Sequence, residues 1–77
     1  MAETQKAESK GEAFVRIAEK RTNRVLNSLR LLGQCSNRRS YAYTPEQVNK
    51  IFKEIRNGVN MAELKFKADI NKKAFKL

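Results

Sequence analysis

Hydrophobic residues recur along this chain at helical spacing in two stretches. In the first, Phe14, Ala18, Val25, Leu29 and Leu32 fall on one face, and Ile17 and Leu26 widen the stripe, which predicts a helix over about 10–32. In the second, Val48, Phe52, Ile55, Val59, Ala62 and Phe66 form a stripe with Ile51 and Ile70 alongside, which predicts a helix over about 45–74. Both starts are signalled. Ser9-Lys10-Gly11-Glu12 has the capping-box pattern, with the Glu12 carboxylate able to reach back to the Ser9 amide. Thr44-Pro45-Glu46-Gln47 repeats it and adds proline at the first helical position, where no amide hydrogen is needed. Gly33, just past Leu32, is expected to end the first helix in the left-handed conformation that glycine adopts without a Cβ clash. Asn57-Gly58 is a turn signal, and Asn60-Met61-Ala62-Glu63 has the form of a new cap. The stripe nevertheless keeps its phase across Gly58, which favours one long helix at a cost of about 1 kcal/mol for the glycine.

These elements predict an all-α fold, an antiparallel hairpin of two long helices. Residues 1–9 form a flexible tail, 10–77 a single hairpin domain, and 33–43 the connecting loop. A chain of 77 residues hides a modest share of its surface, so the core of one hairpin is marginal. A single cysteine, Cys35, excludes an internal disulfide, and the absence of histidine leaves too few ligands for zinc. Self-association remains as reinforcement. A second apolar set, Met61, Leu64, Ala68 and Phe75, lies off the seam of the second helix, and Leu31 lies off that of the first. These five residues mark an expected contact with a second copy or another partner, the alternative being ordinary scattered surface hydrophobes. A homodimer closing into a four-helix bundle, or docking on a partner, would complete the fold.

Charge changes the picture from a fold to a binding surface. The chain carries 17 Lys and Arg against 8 Asp and Glu, a net charge of +9. Residues 13–43 hold seven basic side chains against Glu19, a net of +6, whereas residues 1–12 sum to −1. Such a balance attracts nucleic acid or an acidic membrane surface. No apolar run is long enough to span a membrane, and the polar N-terminus lacks the apolar core of a secretory signal, so a cytoplasmic protein is expected. Without histidine the commonest general base and every Ser-His or Cys-His pair are missing. The carboxylates are interleaved with lysine and arginine, as in surface ion pairs. Neither an enzyme nor a bound metal or cofactor is expected.

On a helical wheel, Arg16, Lys20, Arg24 and Arg30 fall away from the apolar stripe together with Asn23 and Asn27. They form a band about 20 Å long, from 1.5 Å of rise per residue. Cations at this spacing suit successive phosphates of a nucleic-acid backbone, although a solvated helix face has the same composition. The loop adds Arg38 and Arg39, and Tyr41 and Tyr43, whose rings suit stacking on an exposed base or folding back over the open end of the hairpin.

The block from Arg21 to Phe52, above all Leu-Leu-Gly-Gln-Cys-Ser-Asn at 31–37 and Tyr-Ala-Tyr-Thr-Pro-Glu-Gln at 41–47, resembles a group of small uncharacterised helical-hairpin proteins of Gram-positive bacterial genomes and mobile elements. The resemblance implies that the first helix, the loop and the capped second helix form one unit, and it carries no activity. The residues themselves point to a small protein that grips nucleic-acid backbone with little sequence specificity. The alternative is a protein-interaction module, an adaptor or inhibitor encoded by a mobile element, that docks on a larger host protein or ribonucleoprotein.

Overall fold

In the computed structural model, residues 7–74 are described, and Phe75 lies outside them. All regular structure among these residues is helical. Helix α1 spans Lys10–Gly33, a 3-10 turn follows at Gln34–Ser36, and helix α2 spans Pro45–Ala74. The chain divides between Tyr41 and Ala42 into two units, each built around one long helix.

Unit one begins with the predicted capping box. The Ser9 hydroxyl accepts from the Glu12 amide at 3.0 Å, and the Ser9 amide donates to the Glu12 carboxylate at 3.0 Å, so two of the amides left open at a helix start are satisfied reciprocally. The far end departs from expectation. Gly33 is the last helical residue, at φ −60° and ψ −27°, and it does not form a left-handed cap. No described residue has positive φ. The chain instead continues right-handed into the 3-10 turn, where the Gln34 amide donates to the carbonyls of Leu31 and Leu32. Tightened turns of this kind satisfy the terminal carbonyls without a left-handed residue.

Unit two opens with the second capping box. The Thr44 hydroxyl accepts from the Gln47 amide at 3.1 Å, and the Thr44 amide donates to the Gln47 side-chain oxygen at 2.9 Å. From there α2 runs 30 residues without a break at Gly58. The phase of its stripe therefore outweighed the Asn-Gly turn signal. A Cβ added at Gly33 or at Gly58 would meet no atom within 4 Å. Both glycines are helical, so replacing either with alanine removes backbone freedom from the unfolded chain and introduces no clash. Gly58→Ala and Gly33→Ala are each expected to stabilise the helix by about 0.5–1 kcal/mol. A thermal melt followed by circular dichroism checks this, and a lower midpoint in either variant contradicts it.

The apolar stripes are covered only in part. No described side chain is buried. Ile17, Ala18, Leu29 and Leu32 in unit one, and Tyr43, Val48 and Ile55 in unit two, are half-buried. Phe14, Val25, Phe52, Val59, Phe66 and Ile70 stay exposed. Because most helical stability in proteins comes from packing an apolar face, stripes of this length on open helices call for a covering surface. No helix among the described residues is long and apolar enough to cross a membrane.

Candidate nucleic-acid interface

The band predicted on α1 is present as a continuous helical surface, and its four cations are exposed. They are not equivalent. Arg16 is held in a two-pronged pair with Glu8, Nε to one carboxylate oxygen and a terminal guanidinium nitrogen to the other, both at 2.9 Å. The hydrogen bond from Arg16, with its positive charge, lowers the Glu8 pKa from the ordinary carboxylate value, while the Glu8 carboxylate raises that of Arg16. Glu8 precedes the helix cap, so a wheel restricted to the helix leaves it out.

Arg30 is oriented differently. Its guanidinium donates to the Asn27 side-chain oxygen at 2.8 Å and 3.3 Å, one turn back on the same band. Asn27 is neutral, so the full positive charge of Arg30 stays available to an anion. Lys20 and Arg24, between these two, make no side-chain hydrogen bond or ion pair with any described residue. They stand four residues apart on the same helix, about 6 Å by its rise.

After the 3-10 turn the chain folds around Asn37. The Asn37 side-chain oxygen accepts from the Arg39 amide at 3.0 Å, and the Asn37 carbonyl accepts from the amides of Ser40 and Tyr41 at 3.1 and 3.0 Å. This is the asparagine-centred turn in which a short amide side chain replaces a backbone acceptor. Arg38 and Arg39 sit at the apex of that turn. Tyr41 closes it and is 54% exposed. A shallow hollow beside the turn is lined by Leu31, Gln34, Cys35, Asn37, Ser40 and Tyr41. Asn37 and Ser40 were not among the predicted binding residues, although Ser-Asn-Arg-Arg carries a readable turn signal at its asparagine.

Tyr43 belongs to unit two and is half-buried, unlike Tyr41. The predicted contact residues outside the stripes are open. Leu31 is exposed on α1, and on α2 Met61 and Leu64 are 62% and 56% exposed, with Ala68 exposed as well. Comparison of the chain with protein-family models, curated proteins and solved structures finds no significant match. The site is therefore weighed on its own chemistry.

Charge chemistry gives a direct handle on Arg16. Substituting Glu8→Gln removes the anionic partner and returns the guanidinium to the band. The expected result is tighter binding to a polyanion, with the slope of log K against log salt steeper by about 0.9, the contribution of one more phosphate contact on duplex DNA. An unchanged slope would show that Arg16 takes no part. The pH sense follows from the depressed Glu8 pKa. The pair's contribution to stability is present above the unfolded-state carboxylate pKa and fades as pH falls through the lowered value, and acidification likewise frees Arg16. Glu8 and Arg16 are exposed, so this stability effect is slight.

Proposed function

We propose that this protein binds the phosphate backbone of nucleic acid with little sequence preference, as a helical hairpin completed by a second copy into a four-helix bundle. The observation that carries this reading is the line of Lys20, Arg24 and Arg30 on one exposed band of α1, in a chain of net charge +9. Lys20 and Arg24 form no ion pair among the described residues, and Arg30 is steered by a neutral side chain. On α2, Lys67 lies 3.7 Å from Glu63, the carboxylate four residues before it on the same face. The centre of the α1 band is not matched in this way.

In this reading Lys20, Arg24 and Arg30 contact successive phosphates, Arg16 joins them when Glu8 is displaced, and Arg38 and Arg39 each grip a further phosphate from the turn. Tyr41 stacks on an exposed base when the strand is single, and Tyr43 plays a lesser part. The described residues hold no short helix-turn-helix, so base readout in the major groove is not part of the reading. The test is a comparison of affinities for unrelated sequences as duplex DNA, single-stranded DNA and RNA at one salt concentration. Similar micromolar constants for unrelated sequences support backbone binding. A strong preference for one sequence, or no binding at low salt, counts against it.

A second reading rests on Met61 and Leu64, whose exposure beside Ala68 suits docking on a larger protein. Replacing both with aspartate separates the two readings, since it would abolish docking and leave contacts made through α1 in place.

A further inference from the structure

The apolar stripe of α2 reads nearly the same from either end. Val59 stands at its middle, with Val48 and Ile70 each eleven residues away, Phe52 and Phe66 each seven, and Ile55 and Ala62 four and three; Ile51, alongside the stripe, has Lys67 rather than an apolar residue as its counterpart. Reversing the helix about Val59 therefore lays a β-branched residue on a β-branched residue, phenylalanine on phenylalanine, and the larger Ile55 on the smaller Ala62. Layers that alternate large with small are what allow facing helices to interdigitate. The helix is unbroken over this whole length, and Val59, Phe52, Phe66 and Ile70 are exposed along it.

From this symmetry we infer that α2 pairs antiparallel with α2 of a second copy of this chain, crossing at Val59. The inference rests on the dimeric part of the reading above and specifies its interface as the stripe that faces the centre of the four-helix bundle, in place of the Met61 and Leu64 face. A seam that is symmetric about its centre sets residues of like kind opposite one another when reversed, which fits the isologous contact of a two-fold interface. An unrelated partner would have to carry the same spacing by coincidence, whereas a second copy carries it by construction.

Charge at the rim agrees. Arg56 and Glu63 flank the same side of the stripe, three residues before Val59 and four after it. Reversal about Val59 brings each Arg56 to within one residue of the level of the second copy's Glu63, close enough for two opposite-charge pairs related by the two-fold axis. Glu63 already holds Lys67 of its own helix at 3.7 Å, so its carboxylate would lie between two cations. An anionic lipid surface would also cover an apolar stripe, but it gives no reason for the stripe to be symmetric about one residue.

The experiment uses the full chain with Cys35→Ser to remove the native thiol, and three single variants in that background, Val48→Cys, Ile70→Cys and Val59→Cys. Light scattering should give twice the chain mass. With a short bismaleimide cross-linker, Val59→Cys should link to itself. Val48→Cys and Ile70→Cys should link efficiently only when the two proteins are mixed. Self-linking of Val48→Cys in preference to the mixed product would overturn the antiparallel pairing. A dimer that yields neither the mixed product nor the Val59→Cys product would overturn this interface and leave the dimeric reading intact. A monomer at every concentration would remove both, and a monomer whose stripe is protected on vesicles of anionic phospholipid would assign the face to lipid. Nucleic-acid affinity is measured separately, so its loss would not be mistaken for failure of the pairing.

Discussion

Reversing Arg38 and Arg39 to glutamate is expected to weaken binding to nucleic acid by about 10- to 100-fold at low salt, and to reduce the salt slope by about 2. The double variant lowers the net charge from +9 to +5, since each reversal removes one positive and adds one negative charge. It also places two carboxylates where phosphates would approach. Folding should be little changed. The Arg39 contact that holds the turn is made by its backbone amide to Asn37, which a side-chain substitution leaves in place, and neither arginine is buried. Fluorescence anisotropy with a labelled duplex reads the affinity, and circular dichroism verifies that the helices persist. Unchanged affinity in a folded variant would remove the turn from the binding surface.

The second large effect is expected at the middle of α2. Val59→Asp puts a carboxylate at the centre of a stripe that needs a dry partner. At a two-fold crossing the two copies would present both carboxylates to each other. Burying a charge without a partner is among the most destabilising changes available to a protein, and like charges in contact add to it. Association is expected to weaken on the order of 100-fold or more, corresponding to about 3 kcal/mol. Because most of the stability of a protein helix comes from packing its apolar face, helical content should fall with the loss of its covering surface. Dilution series of the native protein and the variant, read by light scattering and circular dichroism, test this. A variant that keeps its mass and helicity would place Val59 outside any interface.

What the sequence disclosed follows from the range over which each feature is decided. Ser9 with Glu12 and Thr44 with Gln47 are settled within four residues, and both boxes formed as read. The phase of the α2 stripe is a property of 30 residues, and it correctly outweighed the Asn-Gly signal at 57–58. Gly33 was misread because a left-handed cap and continuation into a 3-10 turn both suit glycine, and the choice depends on the backbone that follows it. The pair between Glu8 and Arg16 lay hidden because its acidic member precedes the helix and drops off the wheel. The turn centred on Asn37 is signalled by Ser-Asn-Arg-Arg, since an asparagine side chain readily accepts from the amide two residues on. What covers the stripes depends on a surface beyond either helix. Periodicity shows that a face is apolar, and only its symmetry about Val59 bears on the occupant.

Binding to a fluorescent duplex at several salt concentrations, with the mass of the protein followed by light scattering in the same buffers, tests the central claim most directly. The account predicts micromolar or tighter affinity near physiological salt for a dimer. It also predicts a linear fall of log K with log salt whose slope, at about 0.9 per phosphate, corresponds to several contacts per duplex. Absence of binding even at low salt, or binding indifferent to salt, would contradict it and leave the charge of +9 as a property of the surface alone.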